Sequence, residues 1–217
     1  SSVLDITYKK PEQFEANVAA SFLGASAYAG WGNEHFSVMN SVRYKTTRYL
    51  LGSLETSGEY RPNFLDYQTV WSWRPSQRWD FGFIGNVSDN HYNFEPEDRE
   101  TNFGTMNDAK SFRVYFDGKE KDQFRTYFGA LSLTRHFNKS TNLTLNASAF
   151  ASKEEETYDI QGEYWLNEAT SQEQLGVGTY LEHARNRLQA RMLDLGVKFK
   201  TKLTAHTLEA GFDWKLE

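Results

Sequence analysis

The sequence predicts an all-β chain, an antiparallel β-barrel of the outer-membrane type with about nine strands. Three observations predict it. Apolar and polar residues alternate with a period of two along most of the chain, so successive side chains point to opposite faces of a strand. Short turns and long links alternate strictly between the strand segments, as they do between the two ends of an outer-membrane barrel. Several segments run 12–15 residues, beyond the ~3–10 common in globular proteins.

Composition agrees with strands that are apolar on one face only. Of 217 residues, 39% are apolar and 16% aromatic; a typical globular chain is ~45–50% apolar, and a disordered one is poor in aromatics.

Taken in order, the segments 2–9 and 13–28 read as the first two strands. After Trp31-Gly32-Asn33, a turn of turn-forming residues, comes 34–47, where Phe36, Val38, Val42 and Tyr44 oppose Ser37, Ser41, Arg43 and Lys45. A link at 46–63 leads to strand 64–74, the short turn Arg74-Pro75-Ser76-Gln77 and strand 78–89. The link 90–122 precedes strand 123–137, the turn Asn138-Lys139-Ser140 and strand 141–153. In that last strand Leu143, Leu145, Ala147, Ala149 and Ala151 share one face and Asn142, Thr144, Asn146 and Ser148 the other, with Phe150 an exception. The link 154–186 leads to 187–201, the turn Lys202-Leu203-Thr204 and strand 205–216. Aromatics gather at the short turns: Trp71, Trp73, Trp79 and Phe81 at one, Tyr28, Trp31 and Phe36 at another, Phe137 at a third, and Phe212 and Trp214 after the last. An aromatic girdle at a membrane interface has this form.

Charge and residue usage exclude several function classes. The formal net charge of −5 is not the basic balance of a nucleic-acid binder. No Cys is present, which excludes disulfides, thiolate zinc sites and Cys nucleophiles. No apolar run is long enough for a membrane-spanning helix. The five His residues fall on five separate elements, none at metal-ligand spacing with another, and no Gly-rich phosphate loop exists. No catalytic residue and no cofactor are expected.

The long links hold the acidity. Asp89–Gln123 carries nine acidic and five basic residues, and Lys153–Asn186 eight and two. The group Glu95, Glu97, Asp98 and Glu100 lacks the spacing of a calcium loop, so no metal site is expected; Arg99 among them reads as a structural ion pair. Ligand-contact candidates are His91, Tyr92, Arg99, Tyr158 and Trp165, because aromatics interleaved with polar groups suit sugars and flat chelates.

Several long runs carry a resemblance. They are YKTTRYLLGSLETSGEYRPNFLDYQ from Tyr44, WRPSQRWDFGFIGNVSDNHYNFEPEDRETNFG from Trp73, SFRVYFDG from Ser111, ETYDIQGEYWL from Glu156 and GVGTYLEHARN from Gly176. In these runs the chain resembles TonB-dependent outer-membrane receptors of the Bacteroidetes type, through essentially its whole length. The resemblance implies a 22-stranded barrel with an N-terminal plug, of which residues 1–217 are a barrel portion with outer loops near 46–63, 90–122 and 154–186. Neither a plug nor a TonB box is recognised in these residues. The implied role is energised uptake of a scarce ligand (an iron complex, cobalamin or a glycan) across the outer membrane. Implied partners are outer-membrane lipid, the remaining barrel and plug sequence, the TonB complex acting through the plug, and a surface lipoprotein; nucleic acid is not among them. Two other readings stand beside it: a soluble all-β carbohydrate-binding module, and a small outer-membrane barrel enzyme.

Overall fold

The computed structural model describes residues 6–46, 58–105, 108–168 and 174–217. All regular elements in them are strands, and all belong to one antiparallel sheet. In chain order these are β1 (Glu15–Ser21), β2 (Gly24–Gly32), β3 (Phe36–Thr46), β4 (Gly58–Tyr60), β5 (Asn63–Ser76), β6 (Trp79–Pro96), β7 (Arg99–Thr105), β8 (Asp108–His136), β9 (Thr141–Glu168), β10 (Gln174–Lys202) and β11 (Thr207–Leu216). The main path is β1-β2-β3-β5-β6-β8-β9-β10-β11, a simple meander; β4 adds onto β6 and β7 onto β8. The sheet is not closed: among the described residues β1 pairs only with β2, and β11 only with β10.

The strand count on the main path matches the sequence expectation, but two elements differ. Residues 6–14 form no strand, and positions 1–5 lie outside the described residues. Tyr8 instead lies over the sheet, its hydroxyl accepting a hydrogen bond from Gln68 Nε2 at 2.8 Å. The expected strand 13–28 is a hairpin, β1 and β2, reversing at Phe22-Leu23. Two apolar residues at the turn conceal it. Its signal is Gly24, with φ +136°, a conformation costly for any residue with a Cβ.

The larger difference concerns the long links. Most of 90–122 and 154–186 is not loop. It continues β6, β8, β9 and β10, and the last three reach 29, 28 and 29 residues. The register of β8 on β9 runs unbroken from Lys110↔Glu168 to His136↔Asn142. At ~3.3 Å per residue, β8 is about 95 Å long. Within 46–63, β4 is present, and 47–57 lies outside the described residues. The four short turns expected from the sequence, at 33–35, 77–78, 137–140 and 203–206, all fall at one end of the sheet, and the Phe22-Leu23 turn falls at the other.

Residues in register share a face, so the pairing carries each face across the strands. One row holds Phe36, Trp73, Phe81, Leu133, Leu145, Val197 and Phe212. The next holds Trp31, Val38, Trp71, Phe83, Leu131, Ala147, Leu195 and Trp214. The band ends at Ala27, Val42, Tyr67, Val87, Tyr127, Ala151 and Arg191. Trp and Phe therefore dominate the short-turn end, while Tyr44, Tyr67 and Tyr127 mark the other. The opposite face of the same stretch presents Ser72, Asn86, Ser132, Thr144, Asn146 and Gly196. The segment carrying Tyr8 lies on this polar face.

There is little core. Prolines and glycines aside, the buried apolar side chains among the described residues are Met39 and Val114. The chain exposes 16049 Å², where a compact monomer of 25.1 kDa exposes about 10,000 Å². Trp71, Trp73, Leu131, Leu145, Leu195 and Phe212 are all 42–69% exposed. Burial of apolar surface, the usual driving term of folding, is not completed by this sheet alone.

Candidate functional site

Beyond the apolar band, β6, β8, β9 and β10 continue as a charged, aromatic sheet. Period-two alternation sorts its charges by face. Lys119-Glu120-Lys121-Asp122-Gln123-Phe124-Arg125 places its bases on the apolar-band face and its carboxylates on the polar face. Lys153, Arg185 and Arg187 join the first set; Glu154, Glu156 and Glu182 join the second.

The polar-face carboxylates converge. Asp122 stands across from Glu156, and Glu120 across from Tyr158. Single oxygens of Glu120, Asp122 and Glu156 lie within 4.8 Å of one another. Asp122 Oδ1 is shielded from solvent and accepts no hydrogen bond. Burial, then the charges of Asp122 and Glu156, pushes the Glu120 carboxyl above its ordinary value. Burial and Glu156 do the same to Asp122. Tyr180, hydrogen-bonded to Glu182, is pushed up to about 12; Tyr164 and Tyr158 add to this.

Aromatic rings flank the cluster and continue beyond it along the same face. Tyr92 shares the row of Asp122 and Glu156, and Phe94 the row of Glu120 and Tyr158. Phe112 and Tyr164 stack at 6.0 Å. Gly162 is buried beneath the Phe116 ring, which a Cβ there would meet at 3.3 Å. Such a surface attracts cations, and its carboxylate oxygens accept hydrogen bonds from hydroxyl-rich ligands. Three carboxylate oxygens are about half of the 6–8 oxygens that Ca²⁺ takes, so a bound cation would draw further ligands from water or substrate.

The structure unites some of the sequence-predicted residues and separates others. Tyr92 and Tyr158 both flank the carboxylate cluster. His91 lies on the opposite face, with Nε2 3.2 Å from Asp89 Oδ1. Trp165 also faces that side, opposite Arg113 and beside Gly176. Arg99 is on β7, exposed, across from Val114. The ion pair expected at Arg99 is made by its neighbour instead: Arg113 Nε lies 2.9 Å from Glu100 Oε2, and Ser111 Oγ donates to the same carboxylate at 2.8 Å. Asp98 accepts the Phe116 N–H at 2.8 Å. The run Glu95–Glu100 is thus spread over strand pairing rather than gathered around an ion.

Sequence reasoning missed Glu120, Asp122 and Glu156 as a group. The signal was present in the alternation at 119–125, but high charge makes such a stretch read as loop. Two sizeable depressions of the sheet lie elsewhere. Two troughs of about 860 and 750 Å³ cross the apolar face, walled mainly by side chains such as Trp71, Phe83, Leu131 and Leu195 in one and Tyr67, Val87 and Leu193 in the other. They have the character of grooves for hydrocarbon chains, not of a polar ligand site. Comparison with protein-family models, with curated proteins and with solved structures found no match to this chain.

Proposed function

We propose that the sheet is part of the wall of an outer-membrane β-barrel of the TonB-dependent receptor kind, taking part in energised uptake of a scarce ligand such as an iron complex, cobalamin or a glycan. One observation carries this reading: a single-layer sheet with a continuous exposed apolar band on one face and free edges on both sides. From Trp79 to Val87 on β6 the band spans about 27 Å along the strand, or ~20 Å for a tilt of ~40°, close to the ~25 Å apolar belt of such barrels. Lipid is the solvent that tolerates this face. Free strand edges are not tolerated in lipid, so β1 and β11 pair with further strands. In this reading the polar face lines the lumen. The β8–β10 extension stands outside the membrane, and Tyr92, Tyr158 and the carboxylates around Glu120 meet the incoming ligand. A plug, the TonB complex and a surface lipoprotein remain partners that the family resemblance implies. A soluble sandwich would need a second layer over the apolar band, and the described strands form one sheet.

The absence of Cys makes a direct test simple. Ser111→Cys, in the extension, should react with a membrane-impermeant maleimide on intact cells. Ser140→Cys, at a short turn, should react only after the outer membrane is opened. Equal labelling of both on intact cells would remove the proposed topology.

A further inference from the structure

We infer that the basic stripe beside the apolar band seats phosphate-bearing headgroups of outer-leaflet glycolipid. This rests on the proposed membrane orientation, which sets the apolar face against lipid. The stripe starts where the band stops. Arg191 is in the last apolar row, Arg125 and Lys153 are in the next, Arg187 follows, and Lys121 and Arg185 complete it. These side chains come from three neighbouring strands spaced ~4.8 Å apart, so they form a flat array rather than a pocket.

The stripe's own carboxylates do not neutralise it. Each sits between two bases. Glu155 lies 2.7 Å from Lys153 and 3.8 Å from Arg187. Asp89 lies 3.5 Å from Arg125 and 3.2 Å from His91, and Asp159 meets both Arg185 and His183. Lys121 and Arg191 form no ion pair among the described residues. Six Lys and Arg side chains thus face three carboxylates; beyond them Lys119, in the Asp159 row, and Glu95, further along β6, carry opposite charges. The acidic ligand-facing cluster is on the opposite face, so the stripe is not part of it. The other rim of the band differs. Within its strands, the one charged side chain on this face is Arg135, held 5.2 Å over the rings of Trp79 and Phe137. Excess positive charge is therefore confined to one rim. Guanidinium forks at a hydrocarbon boundary match phosphate oxygens. A headgroup continuous with chains lying against the band is the anion that such a position selects.

The test uses the whole protein with phosphatidylcholine vesicles that are plain, or that carry a minority of a bisphosphorylated lipid A glycolipid or its dephosphorylated form. Phosphorylated vesicles should retain the protein most strongly. Lys121→Gln/Arg185→Gln/Arg187→Gln/Arg191→Gln should lose about tenfold or more of that preference. Lys198→Gln/Lys200→Gln, on the polar face near the other rim, should lose none. Arg185→Lys/Arg187→Lys/Arg191→Lys should keep most of it, which separates charge from misfolding. Equal retention on phosphorylated and dephosphorylated vesicles, or an unaffected quadruple variant, overturns the inference and leaves the membrane reading intact. Full competition by inorganic phosphate makes the stripe a free-anion site and also overturns it. Failure to associate with any vesicle removes both.

Discussion

Neighbouring residues of one strand present opposite faces of the sheet in this fold. Leu145 and Asn146 are adjacent on β9, yet Leu145 lies between Leu133 and Val197 in the apolar band and Asn146 faces Ser132 and Gly196. Placing a cation on a lipid-facing position at mid-band costs about 2–4 kcal/mol, whereas a lumen position tolerates it. Leu145→Arg, one row from mid-band, should therefore lower stability in a denaturant titration by up to that amount, with Asn146→Arg close to wild type. Equal damage at both sites would mean that both faces are packed.

The acidic cluster gives a second prediction at this scale. Glu120 and Asp122 have folded values raised above their ordinary ones, so the folded state prefers their protonated forms. Between the ordinary and the raised values the folded chain binds more protons than the unfolded chain. Stability then falls as pH rises through that window, and the repulsion stays in full above it. Glu120→Gln should raise the melting temperature at neutral pH, with the gain shrinking once the carboxylates are protonated. An unchanged melting temperature at neutral pH would show that the three carboxylates do not repel as placed. Because these groups are partly exposed, water and salt screen the effect.

Among the elements, β8, β9 and β10 set the character of the molecule. A bilayer needs ~9–11 tilted residues per strand, and these run to 28 and 29, so most of each extends beyond the band. What holds the extension together is the unbroken β8–β9 ladder, the β9–β10 ladder with its one irregularity between Gly176 and Gly178, cross-strand pairs such as Arg113–Glu100 and the Phe112–Tyr164 stack. Within β8, Gly118 departs from extended geometry, with φ +107° and the Asp159 carbonyl packed where a Cβ would go. Gly118→Ala should therefore destabilise the extension by more than about 1 kcal/mol. Faster amide exchange around 112–124 and 154–166 would report it, while wild-type exchange there would show that the backbone relaxes freely.

At the same scale it is clear what the residues disclosed and what they hid. Strands with a clean apolar face, such as 141–153 and 205–216, were legible because burial against lipid or core enforces alternation. The extensions were not. Their two faces are both polar, so alternation is one of charge sign rather than of hydrophobicity. Phe22-Leu23 hid a turn for the converse reason, since apolar residues there continue the pattern of the strand. Tyr92 and Tyr158 stood out as candidates because aromatic residues among polar ones are conspicuous, and the pairing places both beside the carboxylates. Their partner carboxylates were hidden because the three converge only through the pairing of β8 with β9, which no local spacing reveals.

The whole molecule is a sheet in want of a surrounding. Its exposed area, the scarcity of buried apolar side chains among the described residues (Met39 and Val114, prolines aside) and the unpaired edges on β1 and β11 state the same fact in three ways. An antiparallel sheet stable in water covers its apolar face with a second layer. Here the face is bounded by aromatic rows at both ends and by a basic stripe at one, a pattern that fits a bilayer better than a protein partner. The central claim is that this face meets lipid while the edges continue into a larger barrel. Cryo-electron microscopy of the whole protein in a lipid nanodisc tests it most directly. The account predicts β1 and β11 hydrogen-bonded to further strands of a closed, tilted barrel, with Trp71, Leu131 and Leu145 against lipid. A map in which β1 pairs with β11, or in which a second protein layer covers those three residues, would contradict it.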